Sequence, residues 1–218
     1  ALAILLEKVL SSSADKLRLP RLRVIGPTAV IAGYFLMTFP LNFLWKSNAS
    51  YTLLLVKNFP NNPEAHFLAG LVFGRAGAKE QAHKFFERAL ELGSLDPRLL
   101  FELGLILTQT DPSRARQIFE QAIEFYPGMP SFHTGAARAA LFQGEIEKAL
   151  SYSRKSLELT PGYLGYGYAI QALLMQNRIE EAREYLREAE QRIREERNIM
   201  SLRHMFDEGV TLPVDIGF

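Results

Sequence analysis

The chain has 218 residues, of which 48% are hydrophobic and 22% charged, which is ample for one folded region with its own core. Its 25 Lys and Arg residues balance 24 Asp and Glu residues, so the net charge of +1 gives no indication of a nucleic-acid partner. The absence of cysteine excludes disulfides and thiol nucleophiles, and it is compatible with an oxidising compartment.

Residues 24–45, VIGPTAVIAGYFLMTFPLNFLW, contain no charged side chain. About 20 apolar residues in a helix cross the roughly 30 Å hydrocarbon core of a bilayer, and Gly and Pro are tolerated in membrane helices. This segment therefore predicts a transmembrane helix. The alternative is a buried helix of a soluble protein, kinked at Pro27 or Pro40. A cleaved signal peptide fits less well, because the run is too long and no small-x-small site follows it.

The charges that flank this segment predict its orientation. Only Lys46 and Lys57 follow it closely, whereas five basic residues precede it: Lys8, Lys16, Arg18, Arg21 and Arg23. Because positive residues stay in the cytoplasm, we expect the rest of the chain to be periplasmic or lumenal. Residues 1–23 are either an amphipathic surface segment or the end of an earlier membrane helix followed by a basic loop. The second reading would make the chain a fragment of a longer polytopic protein.

A sequence pattern with a period of 34 residues fills the middle of the chain. Pro60, Pro127 and Pro161 lie 67 and 34 positions apart. Four units start at Pro63, Pro97, Pro130 and Leu164, the second with one residue dropped from its central turn. The signature positions of the first unit hold Gly70, Phe73, Ala82, Phe86 and Ala89, and those of the second hold Gly104, Leu107, Ala115, Phe119 and Ala122. Those of the third unit hold Ala137, Ala140, Gly144, Ala149, Ser153 and Ser156, and those of the fourth hold Leu174, Ala182, Leu186 and Ala189. Small residues let two helices approach closely, and the large residues fill the space between them.

This pattern resembles the tetratricopeptide repeat (TPR), a helix–turn–helix unit of 34 residues, over residues 48–196. The resemblance implies an all-α fold, a TPR α-solenoid that forms a right-handed superhelix, with at least eight antiparallel helices after Asn48 and no β-sheet. Residues 48–62 are predicted as a capping half-repeat, and residues 63–196 as four TPR units. Such repeats bind proteins or peptides.

The charged residues near the end of the chain predict its secondary structure. From Ile179 to about residue 206 the sequence indicates one long, highly charged helix, whose polar outer face would cap the array. Residues 197–218 would then comprise the end of this helix and a tail. The last ten residues, GVTLPVDIGF, are apolar and either pack back on the last helix or simply end the chain.

A second resemblance follows from the order of the segments: a basic loop, a membrane helix, a lone helix and then a TPR array. It resembles the C-terminal region of transmembrane-and-TPR O-mannosyltransferase-like membrane proteins. The matching residues are Trp45, Lys46, Leu53, Pro60, Asn61, Asn62, Ala65 and Gly70. In that family the sugar-transfer chemistry lies upstream, so this resemblance assigns no catalytic residue to the chain.

The TPR resemblance also implies a binding groove, lined by the first helix of each unit. The residues projected onto it are Phe67, Leu71, Arg75, Arg98, Phe101, Leu105, Arg138 and Tyr168. Exposed aromatic and Arg side chains are typical of binding hot spots. The alternative is that some of these aromatic residues pack between repeats. The Lys and Asn clamp of chaperone-binding TPRs is absent, because Phe67 and Leu71 occupy its positions.

No constellation in the sequence indicates an enzyme. The four histidines are scattered over the chain without metal-ligand spacing, and there is no glycine-rich phosphate loop or nucleophile elbow. We therefore expect no catalytic residues, cofactor or metal. Two functions remain: a membrane-anchored module that binds a protein or peptide on the non-cytoplasmic side, and the non-catalytic TPR region of a polytopic membrane glycosyltransferase that recruits acceptor proteins.

Overall fold

The computed structural model describes residues 48–209, and this range folds into ten α-helices without a β-strand. The helices are α1 Asn48–Asn58, α2 Pro63–Arg75, α3 Lys79–Glu91, α4 Pro97–Thr110, α5 Pro112–Phe125, α6 Pro130–Phe142, α7 Ile146–Leu159, α8 Tyr163–Met175, α9 Ile179–Arg192 and α10 Glu196–Asp207. The chain divides into two compact units: α1 belongs to the first, which ends at Pro60, and α2–α10 belong to the second, which starts at Asn61.

The prediction of a transmembrane helix falls on residues 24–45, which lie outside the described residues. Within 48–209 no helix is both long and apolar enough to cross a bilayer. Helix α1 occupies the position predicted for the half-repeat. Its one buried residue is Thr52, whose hydroxyl donates to the Asn48 and Ala49 carbonyls, both at 3.1 Å. The capping role of this helix stays a prediction.

The four predicted units appear as the helix pairs α2/α3, α4/α5, α6/α7 and α8/α9. In three of them the turn within the pair contains one residue with positive φ: Gly77 at 77°, Gly144 at 73° and Asn177 at 57°. The turn of the second pair is shorter, as the sequence predicted. There Asp111 ends α4 and also begins α5, accepting a hydrogen bond from the Arg114 amide at 3.0 Å.

Glycine and phenylalanine fix how closely the helices pack. A Cβ atom on Gly104 would lie 2.4 Å from the ring of Phe119, and one on Gly135 would lie 2.5 Å from the same ring. The Phe119 side chain of α5 is therefore held between α4 of its own pair and α6 of the next, and it is fully buried. Gly70 faces Phe86 in the same way, also at 2.4 Å. These contacts explain why a side chain at Gly70, Gly104 or Gly135 would force a phenylalanine ring to move.

The prediction of one long helix from Ile179 is wrong. Helix α9 ends at Arg192, Ile193 is extended with φ −92° and ψ 127°, and α10 starts at Glu196. α10 packs against α8 and α9 and buries three apolar residues spaced by three positions: Ile199, Leu202 and Met205. Burial of this narrow apolar stripe against α8 and α9 favours a break in the helix over continuation of the charged helix into solvent.

Candidate partner-binding groove

The eight predicted groove residues lie on the first helix of each pair, but their exposure differs. Arg75 and Arg98 are exposed, and Leu71, Phe101 and Leu105 are half-buried. Three others are buried, with relative exposures of 0% for Phe67, 4% for Arg138 and 1% for Tyr168. The expectation that Phe67 and Tyr168 are exposed is therefore wrong. Both aromatic side chains belong to the hydrophobic core, as in the alternative stated above.

Phe67 and Arg98 meet between the first two pairs. The ring of Phe67 packs on Phe86 with centroids 6.2 Å apart, and the Arg98 guanidinium carbon lies 4.9 Å from the Phe67 centroid. Asp96 holds the guanidinium from the side, with Nη2–Oδ2 at 2.8 Å and Nε–Oδ1 at 3.1 Å. The hydrogen bond from the Arg98 side chain keeps the pKa of Asp96 below its usual value. Arg98 thus covers Phe67 and remains accessible to a ligand, since its side chain is 65% exposed.

Phe101 forms the centre of the half-buried surface of α4. Its ring lies edge-on to Phe119 and Phe132, with centroid distances of 6.2 and 6.4 Å. Nearby, burial raises the pKa of Glu102, and the positive charge of Arg75 opposes this increase. α2 and α4 therefore present a surface of partly exposed apolar side chains, flanked by two arginines and one carboxyl group of reduced acidity.

The two C-terminal pairs differ because their first helices are enclosed. Arg138 on α6 lies with its guanidinium carbon 5.9 Å from the Phe142 centroid. One turn earlier, Thr134 is buried and its hydroxyl donates to the Ser131 carbonyl at 2.9 Å. Desolvation lowers the pKa of the neighbouring His133, which favours the neutral imidazole. This part of the groove is not open to solvent.

Polar contacts that the sequence did not predict join the second helices of neighbouring pairs. Arg114 Nη2 donates to Glu87 at 2.6 Å, and Arg154 Nε donates to the Tyr185 hydroxyl at 2.9 Å. Between them the Tyr152 hydroxyl donates to Glu120, and burial raises the pKa of Tyr152 to about 12. The two partners in each of these contacts are 27 to 32 residues apart in the sequence, which is about one repeat. Polar residues at this spacing are the signal from which the contacts could have been predicted.

A surface cavity of about 480 Å³ lies along α5, and it was not anticipated from the sequence. It is lined by Leu90, Asp111, Ser113, Arg114, Gln117, Ile118 and Gln121. Within the described residues no cluster of His, Asp or Glu could hold a metal ion.

Comparison with known proteins identifies the family. The tetratricopeptide repeat profile matches residues 54–97, 70–130, 105–164 and 134–196, which together span most of the chain. The chain belongs to the tetratricopeptide repeat family. Its ten helices confirm the predicted all-α TPR solenoid, whereas the transmembrane helix predicted to precede it falls outside the described residues.

Solved structures of other TPR proteins share this fold. YrrB, described as a TPR protein with an unusual peptide-binding site, matches with a TM-score of 0.64 at 18% identity, over 79% of this chain and 89% of its own. MamA from Desulfovibrio magneticus RS-1 gives 0.61 at 15% identity, over 72% and 84%. PilF of Pseudomonas aeruginosa gives 0.59 at 20% identity, over 78% and 81%. No curated protein sequence matches the chain. At these identities the likeness concerns the fold alone.

Proposed function

We propose that the TPR array is a protein–protein interaction module that binds a protein or peptide along α2 and α4. The main support for this proposal is that the first helices of the first two pairs combine half-buried Leu71, Phe101 and Leu105 with exposed Arg75 and Arg98. Apolar side chains that are already held in place lose little conformational entropy on binding. The arginines provide donors for backbone carbonyls or carboxylates of the partner.

The predicted site residues divide into two roles in this proposal. Leu71, Arg75, Arg98, Phe101 and Leu105 would contact the partner directly. Three buried residues, Phe67, Arg138 and Tyr168, would shape the surface from below. The peptide-binding site named for YrrB supports binding as a function of this fold, although it does not identify the residues used here.

Photo-crosslinking tests the binding face even while the partner is unidentified. A photoreactive residue at Leu105 should form covalent adducts with partner proteins in native membranes. At Glu124, an exposed position on the second helix of the same pair, adducts should be several-fold fewer. Leu105 is half-buried in the proposed face and Glu124 is not part of it. Equal adduct yields at the two positions would contradict the proposal.

We also propose that residues 24–45 anchor the chain in a membrane, with the repeats on the non-cytoplasmic side. The support is the uncharged segment and the excess of basic residues before it. The full chain should remain with membranes after an alkaline carbonate wash, whereas a fragment starting at Asn48 should stay in the supernatant. Protease added from the periplasmic or lumenal side should digest the repeats. A full chain that is monomeric in detergent-free buffer would refute the anchor.

The second candidate function is the non-catalytic C-terminal region of a polytopic glycosyltransferase, which gathers acceptor proteins. The order of segments around Trp45, Lys46 and Pro60 favours it through the resemblance described above. The parent reading frame separates the two candidates. Several membrane helices with acidic residues in an early loop upstream of Ala1 would favour the transferase. An initiator Met within a few residues would favour the simple anchored module.

A further inference from the structure

Helix α4 keeps one accessible stripe, and every other residue between positions 98 and 109 is buried. The accessible residues follow one another at alternating helical spacings, so they lie along one side of the helix. They are Arg98, Phe101, Glu102, Leu105, Ile106 and Gln109. The three residues of α4 that are proposed to contact a partner all belong to this stripe. Glu102 is its one acidic member.

The other repeat units carry no acidic residue at the position of Glu102. Glu102 is the sixth residue of the second unit, and the sixth residues of the other three units are Leu68, Gly135 and Ala169. None of these residues has a charge, and Gly135 and Ala169 are buried in the packing between helices. The packing that the units share therefore does not explain why the second unit has a carboxyl group at this position.

The carboxyl group of Glu102 is half-buried, and no residue within 48–209 donates a hydrogen bond to it or forms an ion pair with it. Burial raises its pKa, and the positive charge of Arg75 on α2 opposes this rise without cancelling it. A carboxylate that loses hydration without gaining a donor destabilises the folded state. Because the pKa is raised in the folded chain, this cost appears as the pH rises through it.

We propose that Glu102 selects partners that present one basic side chain, Lys or Arg, beside apolar side chains that pack on Phe101 and Leu105. A cationic donor from the partner would replace the water that burial removes from the carboxylate, and such charge-assisted hydrogen bonds are the strong ones. Glu102 remains partly accessible, so the donor reaches it from solvent. This specificity rests on the proposed binding function, because it belongs to the same stripe of α4.

Two arginines near Glu102 restrict the charge of the partner further. Arg98 lies one turn before Glu102 on the same stripe, where Asp96 holds its guanidinium. Arg75 acts on the Glu102 carboxyl from α2. Both arginines would repel a segment with many positive charges, whereas a single basic residue among apolar or acidic neighbours is complementary to the face. The charges therefore favour one Lys or Arg in an apolar or acidic segment over a polybasic segment.

Selection from a phage-displayed library of random peptides, with the full chain in detergent as the target, tests this specificity. Ligands of the face are the selected peptides that bind Leu105→Ser several-fold more weakly than the unsubstituted chain. They should contain one Lys or Arg beside apolar residues. With Glu102→Lys as the target, the selected peptides should carry Asp or Glu in place of the basic residue. The matched control Glu124→Lys makes the same charge change at an exposed position on α5 and should leave the preference for a basic residue unchanged.

A double-mutant cycle with one selected peptide measures the contact, and it keeps the proposal testable if Glu102→Lys does not fold. Replacing the basic residue of the peptide by Ala should weaken binding to the unsubstituted chain about tenfold, as for a hydrogen bond to a charged group. The same replacement should hardly change binding to Glu102→Gln. This variant should melt no lower than the unsubstituted chain, because it removes a half-buried charge and keeps the shape of the side chain. Equal losses of affinity with Glu102 and with Gln at this position would overturn the proposal.

The outcomes separate this specificity from the proposed function. If peptide binding depends on Leu105 but Glu102→Lys selects the same peptides as the unsubstituted chain, the face binds partners and the role assigned to Glu102 is wrong. If no selected peptide depends on Leu105, the proposed binding face is wrong and the role of Glu102 fails with it.

Discussion

The substitution Phe119→Ala is expected to lower the free energy of unfolding by about 3–5 kcal/mol, the range for deletion of a buried aromatic side chain. Phe119 is fully buried, and its ring fills the space that Gly104 and Gly135 leave between α4, α5 and α6. Because each repeat is stabilised mainly by its neighbours, the loss should affect the second and third pairs together. Denaturant unfolding followed by circular dichroism measures the change.

The control lies on the same helix. Phe125 is 52% exposed at the end of α5, so Phe125→Ala should change the unfolding free energy by no more than about 0.5 kcal/mol. If the two substitutions lowered the free energy of unfolding equally, the ring of Phe119 would not be a contact that holds the second and third pairs together.

A double-mutant cycle identifies the contact itself. Gly104→Ala alone should destabilise the protein, because the new Cβ would lie 2.4 Å from the Phe119 ring. In the Phe119→Ala background the same substitution should stabilise it by up to about 1 kcal/mol, since alanine is the better helix former. Additive effects of the two changes would contradict the close packing of Gly104 and Phe119.

The pairing of the helices could be predicted from the sequence because it depends on local rules. Gly70 and Gly104 predicted close approach, and each lies against the phenylalanine that the repeat pattern placed sixteen or fifteen residues later. The shortened turn at Asp111 was visible as one missing residue in the period. These features repeat, so each unit supports the interpretation of the others.

Burial along the groove could not be predicted in this way. The repeat pattern gives the side of the helix from which Phe67 and Tyr168 project, but their depth depends on other residues. Arg98 covers Phe67 from the next pair, and its position is fixed by Asp96, which lies outside the repeat signature. The break at Ile193 was missed for a similar reason: it depends on a surface that α8 and α9 offer to α10.

The substitution Phe67→Ala tests the depth of the groove, with an expected loss of about 3–5 kcal/mol in the free energy of unfolding. The side chain is fully buried and packs on Phe86, so its removal leaves a cavity between the first and second pairs. Arg98→Ala should change the unfolding free energy little, because its side chain is 65% exposed and its pairing with Asp96 is screened by solvent. The same variant should weaken crosslinking of the partner at Leu105.

The two substitutions therefore separate stability from binding within one contact pair. Although Phe67 and Arg98 are in contact, Phe67→Ala should lower the stability of the fold, whereas Arg98→Ala should weaken binding of the partner. Leu71→Ala, one turn after Phe67 on α2 and half-buried, serves as the intermediate case and should lose less stability than Phe67→Ala. If Phe67→Ala melts like the unsubstituted chain, the ring is part of an open groove, as the repeat pattern first indicated. If Arg98→Ala unfolds as readily as Phe67→Ala, the guanidinium is part of the core and is not available to a partner.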